Sequence, residues 1–311
     1  MTDVFIVIVS YNVERLLRDC LRSLFASQGA AFEVAVVDNR SSDDSARMVR
    51  EEFPAVRLIE SPHNGGFAYA NNIGLRDYLD RPNAERPRYA LLLNPDTVLP
   101  PRGLADMIAY LDARPEVGAA GPKLLLADGT LDLACRRSFP DPTVSFYRLA
   151  GLSKLFPRSR RFGRYNLTYL DPDVETEVDS VVGAFMMVRG TAIDQVGLLD
   201  ETFFMYGEDL DWAFRLKAQG WTVRYNPAVT VLHYKGQSSR QRRARTTVEF
   251  YRAMEIFYRK HYARSRPAVL NGLIVGAIHF FRWLTIASLR IAPLVPLPQS
   301  LRPERRLRQA S

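Results

Sequence analysis

The chain has 311 residues, enough for one large domain or one domain with an appendage; 47% are hydrophobic and 24% charged, as in an ordinary globular protein. Two cysteines, Cys20 and Cys135, exclude a disulfide framework or a zinc site and suit a reducing compartment. The net charge of +8 is uneven: from Arg240 onward fourteen Arg and one Lys face three Glu, a net +12, which leaves −4 for residues 1–239. Such a tail meets something anionic, nucleic acid or a membrane surface.

The opening "MTDVFIVIVSYN" has no basic segment ahead of its short apolar run, so it reads as a first buried strand and not as a secretory leader. Residues 14–28 have helical spacing, with Leu16, Leu17, Cys20, Leu21, Leu24 and Phe25 on one face. "FEVAVVD" at 32–38 is a second strand, and Ser42 or Asp43 caps the helix that follows. A third strand is predicted at 56–61, a helix near 67–80, a fourth strand at 88–94 and a helix beginning at Pro101. "EVGAAGPKLLL" adds one or two short strands. Strand and helix in alternation predict an α/β fold with a mostly parallel sheet covered on both faces. Residues 133–180 look irregular and carry the basic cluster "FPRSRRFGRYN"; a long loop of this kind is functional or disordered. A strand is expected over 178–190, a helix over 208–220 ended by Gly220, and two last strands in "WTVRYNP" and "VTVLHYKG". One helix follows from 246 until Pro267, and then an apolar stretch from 268 to about 292.

The polar residues of the first half fall where strands end. Ser10, Tyr11 and Asn12 end the first, Asp38 and Asn39 the second, and Asn94, Pro95 and Asp96 the fourth. In an open α/β sheet, ligands bind beyond the carboxyl ends of the strands. Alone, Asp38 also suits a turn and Asp96 a helix cap. "SYNVERL" has no glycine after the first strand, which argues against a Rossmann dinucleotide site. "HNGGFAYANNIG" offers backbone N–H groups at a helix start together with Asn64, Gly65, Asn71 and Asn72, a lining for a nucleotide or sugar and also a tight turn. Asp96 suits a hard divalent cation that takes most of its oxygens from a pyrophosphate, and Asn94 suits a ribose hydroxyl. In "FFMYGEDLDW", Glu208, Asp209 and Asp211 crowd between large apolar residues. Asp211 lies about 200° around the helix from Asp209, so the two do not share a face. Acids also stabilise a helix start, which alone would account for all three.

Taken together, "VIVSYN", "VVDNRSSDDS", "NGGFAYANNIG", "LLLNPDT", "VVGAFMMVRG", "VGLLDETFFMYGEDLDWAFRL" and "VLHYKG" resemble family 2 glycosyltransferases, and most of all their bacterial rhamnosyltransferase-like members. The resemblance spans roughly residues 4–236. It implies a GT-A fold over 1–239, with a nucleotide-sugar-binding half at 1–125 and an acceptor-binding, catalytic half at 126–239. It also implies inverting transfer from a nucleoside-diphosphate sugar, aided by Mn²⁺ or Mg²⁺. Carried over, Asp38 matches the reader of the nucleobase, with Ser10 and Asn12 beside the nucleotide. Asp96 matches the metal-binding Asp, and Asn94 departs from the acidic partner usual there. Asp209 matches the catalytic base, with Glu208 positioning it or contacting the acceptor, and His233 matches a second metal ligand.

The tail, 240–311, lies outside the shared core. Over 268–292 a helix would gather Asn271, His279, Arg282 and Arg290 within an arc of about 100°, among many apolar residues. This favours a basic amphipathic helix at a membrane interface over a spanning one; packing on the catalytic domain or dimerisation are the alternatives. The resulting expectation is a peripheral enzyme on the cytoplasmic face of the membrane. It would transfer rhamnose from dTDP-rhamnose, or another sugar such as galactofuranose or glucose from a UDP donor, to a polyprenyl-diphosphate-linked glycan. A non-catalytic nucleotide- or carbohydrate-binding protein is the reading from another class. Nucleic acid is disfavoured, because the tail interleaves aliphatic rather than stacking residues and the core is acidic.

Overall fold

The structure, a computed structural model, describes residues 2–235 and 243–291. Its first half is a parallel sheet crossed by helices. β1 (Val4–Ser10) is buried at every position, as a strand covered on both faces must be. The helix α1 (Glu14–Phe25) buries Leu17, Cys20, Leu21 and Leu24 and leads to β2 (Phe32–Asp38). The carboxylate of Asp43 accepts from Ser45 N–H at 3.1 Å and opens α2 (Ser45–Glu52), which returns to β3 (Arg57–Glu60). Helix α3 (Phe67–Leu79) and β4 (Tyr89–Leu93) complete this half, in which β3, β2, β1 and β4 lie side by side and parallel.

The second half mixes directions. After the two-residue β5 (Thr97–Val98) come α4 (Gly103–Asp112) and a single strand, β6 (Val117–Leu125). The stretch expected to be irregular contains α5 (Pro142–Leu149), which starts on an Asp141 cap with Pro142 in its first turn, and a short α6 (Leu152–Leu155). The strand expected over 178–190 splits into β7 (Thr176–Val178) and β8 (Phe185–Arg189), with a loop between them that serves the site. Helices α7 (Gly190–Val196) and α8 (Glu208–Ala218) follow, and Gly220, at φ 88°, closes α8 just past its end. The two last strands expected from the sequence are one, β9 (Thr222–His233). Pro227 had suggested a break, but β9 takes it at an irregularity: its pairing with β6 jumps from Asn226 to Thr230 between Pro122 and Lys123. The sheet runs β3-β2-β1-β4-β8-β6-β9-β5, with β7 on β9; β8 is antiparallel to both its neighbours.

Two long helices close the described chain. α9 (Arg243–His261) lays Ala253 and Phe257 against Phe203 and Leu210. α10 (Ala268–Ile291) folds back on α9 and is long and apolar enough to cross a membrane, with a mean hydropathy of 1.5. Three of its polar side chains reach α9. Asn271 bonds Tyr258, His279 bonds Glu255 at 2.8 Å and Thr285 bonds Tyr251 at 2.8 Å, all on α9. Val269, Leu270, Leu273, Phe280, Trp283 and Leu284 are exposed large apolar residues, and His279 is itself half-exposed. Two members of the expected row, Asn271 and His279, are thus bonded to α9, and the outer face is largely apolar. The side chain of Arg290, together with Arg240 and Arg242 and everything past 291, lies outside the described residues.

Candidate functional site

The ends of β1 and β2 lie level, Ser10 opposite Asp38. Both are buried; Ser10 Oγ and Asp38 Oδ1 have no hydrogen-bond partner among the described residues, while Asp38 Oδ2 accepts from Ser41 N–H at 2.9 Å. Asn39 donates its N–H to the Ser10 carbonyl at 2.8 Å, and its amide reaches Asn64 Oδ1 at 3.1 Å and Gly65 N–H at 3.2 Å. It therefore binds the glycine-rich turn to the strand ends. Asn12 is exposed at φ 54°, and its Oδ1 accepts from Ser42 N–H at 2.6 Å, so this side chain ties the first two strand-end loops. Asn72 is also spent on structure: it donates to the Leu199 carbonyl at 2.9 Å and accepts from Leu199 N–H at 3.0 Å.

β5 explains how the "NPDT" carboxylate meets a histidine more than a hundred residues away. Its antiparallel register sets Thr97 opposite His233, and Tyr234 N–H donates to the Asp96 carbonyl at 2.8 Å. His233 Nε2 then lies 3.3 Å from Asp96 Oδ1, while Nδ1 lies 2.9 Å from Asp132 Oδ2. Burial alone would lower the pKa of His233, but Asp132 and Asp96 outweigh it and raise it to about 9. Asp132 has Lys235 Nζ at 2.6 Å on its other oxygen; burial disfavours its charge, but His233 and Lys235 hold it well below the usual carboxylate range. Asn94 Oδ1 is buried and without a partner among the described residues.

The carboxylates of "FFMYGEDLDW" divide. Tyr206 and Gly207 take positive φ of 69° and 85° to turn the chain into α8, an unusual posture for a tyrosine. Asp209, buried at the helix start, accepts from Arg137 Nη2 at 2.8 Å and Gly183 N–H at 3.0 Å with one oxygen, and from Leu210 N–H at 2.7 Å with the other. Burial opposes the charge of Arg137, and Asp209 more than restores it. Glu208 is buried beside them, with Oε2 unpartnered among the described residues. Burial, then the Asp209 charge, pushes its carboxyl well above the usual range. Asp211 is fully buried on another face, bonded to Arg215 at 2.8 Å and to Lys260 at 2.7 Å and His261 at 2.8 Å of α9.

These groups surround a cavity of about 500 Å³. Asn64, Asn94, Asp96, Glu208, Asp209 and His233 line it, with Asn39, Arg137, Lys235, Arg148 and Arg245. Ser10 and Asp38 end the strands that border it through Val9, Tyr11 and Asn39; Asn12, Gly65 and Asn72 support it from outside the lining. Sequence reasoning missed Asp132 and Arg137. Arg137 falls in the stretch that reads as irregular and Asp132 just ahead of it, and nothing in "TLDLACRRSFP" marks which acid or which arginine is buried. The cavity combines polar side chains near the strand ends with two buried carboxylates, a lining suited to a polar ligand.

Residues 2–251 match the family described as glycosyltransferase like family 2. The chain is 28% identical over 293 residues to N-acetylglucosaminyl-diphospho-decaprenol L-rhamnosyltransferase of Mycobacterium tuberculosis, covering 93% of this chain and 94% of that protein. It is 28% identical over 243 residues to rhamnosyltransferase WbbL of Escherichia coli, covering 76% of this chain and 85% of that one. The fold resembles that of mannosyltransferase PcManGT from Pyrobaculum calidifontis, solved in complex with GDP-Man and Mn²⁺, with a TM-score of 0.56 at 17% identity over 95% of this chain and 76% of that one. The α/β architecture is the GT-A fold that the motifs imply, and the chain belongs to glycosyltransferase family 2.

Proposed function

We propose that this chain is an inverting glycosyltransferase that moves rhamnose from dTDP-rhamnose to a hydroxyl of a polyprenyl-diphosphate-linked glycan, at the cytoplasmic face of the membrane. The observation that carries this reading is the convergence on one cavity of Asn94 Oδ1 and Glu208 Oε2, buried and unpartnered among the described residues, with Asp96, His233 and Asp209. Buried polar atoms without partners call for a ligand that supplies them. The M. tuberculosis relative, matched over nearly its whole length, supports rhamnose as the sugar and a prenyl diphosphate as the carrier.

In this reading Asp38 reads the nucleobase, with Ser10 and Asn12 beside the nucleotide. Asn64, Gly65 and Asn72 shape the turn next to it, and Asn94 bonds the ribose. Asp96 and His233 suit a divalent cation, whose binding would displace the proton from His233 Nε2. Asp132 fixes Nδ1 of His233 and turns Nε2 toward Asp96, and two protein donors are enough for an ion held chiefly by phosphate oxygens. When bound, Mn²⁺ or Mg²⁺ would neutralise charge on the departing diphosphate. Asp209 takes the proton from the acceptor hydroxyl as its oxygen bonds C1 of the sugar and the bond from C1 to the diphosphate breaks on the opposite face. Arg137 and Gly183 N–H hold the carboxylate for that attack.

One observation favours a second assignment of the base. Asp209 is tied by three N–H donors, whereas Glu208 has a free oxygen and a raised pKa, both suited to accepting a proton. The donor is tested by thermal protection across a panel of nucleotide sugars with and without Mn²⁺. dTDP-rhamnose should protect most and only weakly without metal; stronger protection by a UDP-sugar would reassign the donor, and equal protection after exhaustive chelation would remove the metal.

A further inference from the structure

A second, apolar space of about 210 Å³ lies between α5, α9 and α10. Phe146 and Leu149 of α5, Met254 and Tyr258 of α9, and Ala277 and Ile278 of α10 form its walls. It adjoins the catalytic cavity, and Pro140, Ser145, Leu149 and Met254 line both. At its other end it opens beside Leu273, 67% exposed on the outer apolar face of α10.

Charge is placed at the junction. Arg148, next to Leu149, lines the catalytic cavity with its guanidinium over the Tyr165 ring at 4.4 Å and the Phe250 ring at 5.3 Å. Arg245, over Phe204 at 5.2 Å, lines the same cavity. The outer rim joins apolar and basic groups. Phe146 is exposed and adjoins Tyr147, whose hydroxyl accepts from Arg161 at 2.8 Å; Leu155, Phe156, Arg158 and Arg160 are exposed nearby in the chain. An apolar passage with cations at its inner end and a basic, aromatic mouth matches a long apolar chain that ends in a diphosphate.

We propose that the groove between α5 and α10 holds the isoprene units nearest the acceptor's diphosphate and that Arg148 and Arg245 receive that diphosphate in the adjoining catalytic cavity. This rests on the reading of the acceptor as a prenyl-diphosphate-linked sugar. The groove then sets the acceptor's approach: the chain enters from the membrane beside α10, and the sugar emerges facing Glu208 and Asp209.

Two measurements on the full-length protein test it. The first uses a polyprenyl diphosphate carrying a diazirine in the isoprene units nearest the phosphates. Photolabel should fall on peptides of α5 and α10, and unlabelled polyprenyl diphosphate should compete while phosphatidylglycerol does not. Label elsewhere, or equal competition by the phospholipid, overturns the proposal; the latter would make the groove an ordinary bilayer contact. The second compares KM for N-acetylglucosaminyl diphosphate on a long prenyl chain and on a short alkyl stub. Ala277→Trp, which fills the groove from α10, should cut the preference for the long chain about tenfold. An unchanged preference in that variant sinks the groove alone. Absence of transfer by the unaltered protein to any prenyl-linked acceptor sinks the acceptor reading beneath it.

Discussion

Asp209 and Arg137 form a buried ion pair 2.8 Å apart, with a second carboxylate, Glu208, beside it. A pair of this kind adds little to stability by comparison with an apolar core, but removing one member leaves a buried charge uncompensated. Arg137→Met leaves two acids without their cation and should cost about 3–5 kcal/mol, read as a lower urea midpoint. Asp209→Asn keeps an acceptor for Arg137, so fold and donor binding should persist while turnover falls about 10²–10⁴-fold. Glu208→Gln separates the two assignments of the base: with Asp209 as base it should retain far more turnover than Asp209→Asn. The reverse order of the two variants would move the proton to Glu208.

At the level of elements, the site depends on a turn and a clamp. Gly66 sits at φ 91°, and a Cβ there would lie 2.2 Å from the Phe204 carbonyl oxygen, which itself accepts from Phe67 N–H at 2.7 Å. The glycine-rich turn and the "FFMYGED" turn are therefore locked together across the cavity. Gly66→Ala must break this contact and should cost about 1–3 kcal/mol, with kcat lowered more than donor affinity, because the acids of α8 shift. The thermal midpoint and steady-state kinetics of one variant check both. The clamp is Asp211, which fastens α9 to α8 through Lys260 and His261. Burial opposes its charge, but His261, Lys260 and Arg215 bring its pKa from 3.8 down to about 2. A depressed folded value means that its contribution, about 2 kcal/mol, is complete above the ordinary carboxylate range and is lost as pH falls toward 2. Asp211→Asn should therefore be less stable than the unaltered chain at neutral pH and match it near pH 2. A gap of equal size at both pH values would remove the ionised clamp.

For the whole molecule, the hairpin of α9 and α10 presents an outer face of Val269, Leu273, Phe280 and Trp283. The polar groups Asn271, His279 and Thr285 are bonded to α9, so contact of this face with lipid would leave those bonds intact. Full-length protein should co-sediment with anionic vesicles and stay bound in part at high salt, since apolar burial is not screened as basic residues near headgroups are. A chain ending at Arg266 should stay in the supernatant and still bind nucleotide. Full-length protein that remains in solution at both low and high salt would make α10 a packing or dimer element.

The sequence by itself determined the parallel half of the fold and the polar strand ends, because continuous apolar runs and helical spacing are local properties that each segment carries alone. The seven motifs named the family for a related reason: each is short and retains its residues in order. The sequence did not show that Asp132 orients His233 or that Arg137 holds Asp209, because those partners are 101 and 72 residues apart. It placed Asp211 at the start of α8 but not against α9, and it read two strands where β9 passes through Pro227 in one. A helical projection grouped Asn271 and His279 correctly; only packing decided that they face Tyr258 and Glu255 and not lipid headgroups. For the polar residues the deciding term was desolvation, and which group is buried, and against what, is settled by tertiary contact; for β9 it was pairing with β6 across an irregularity.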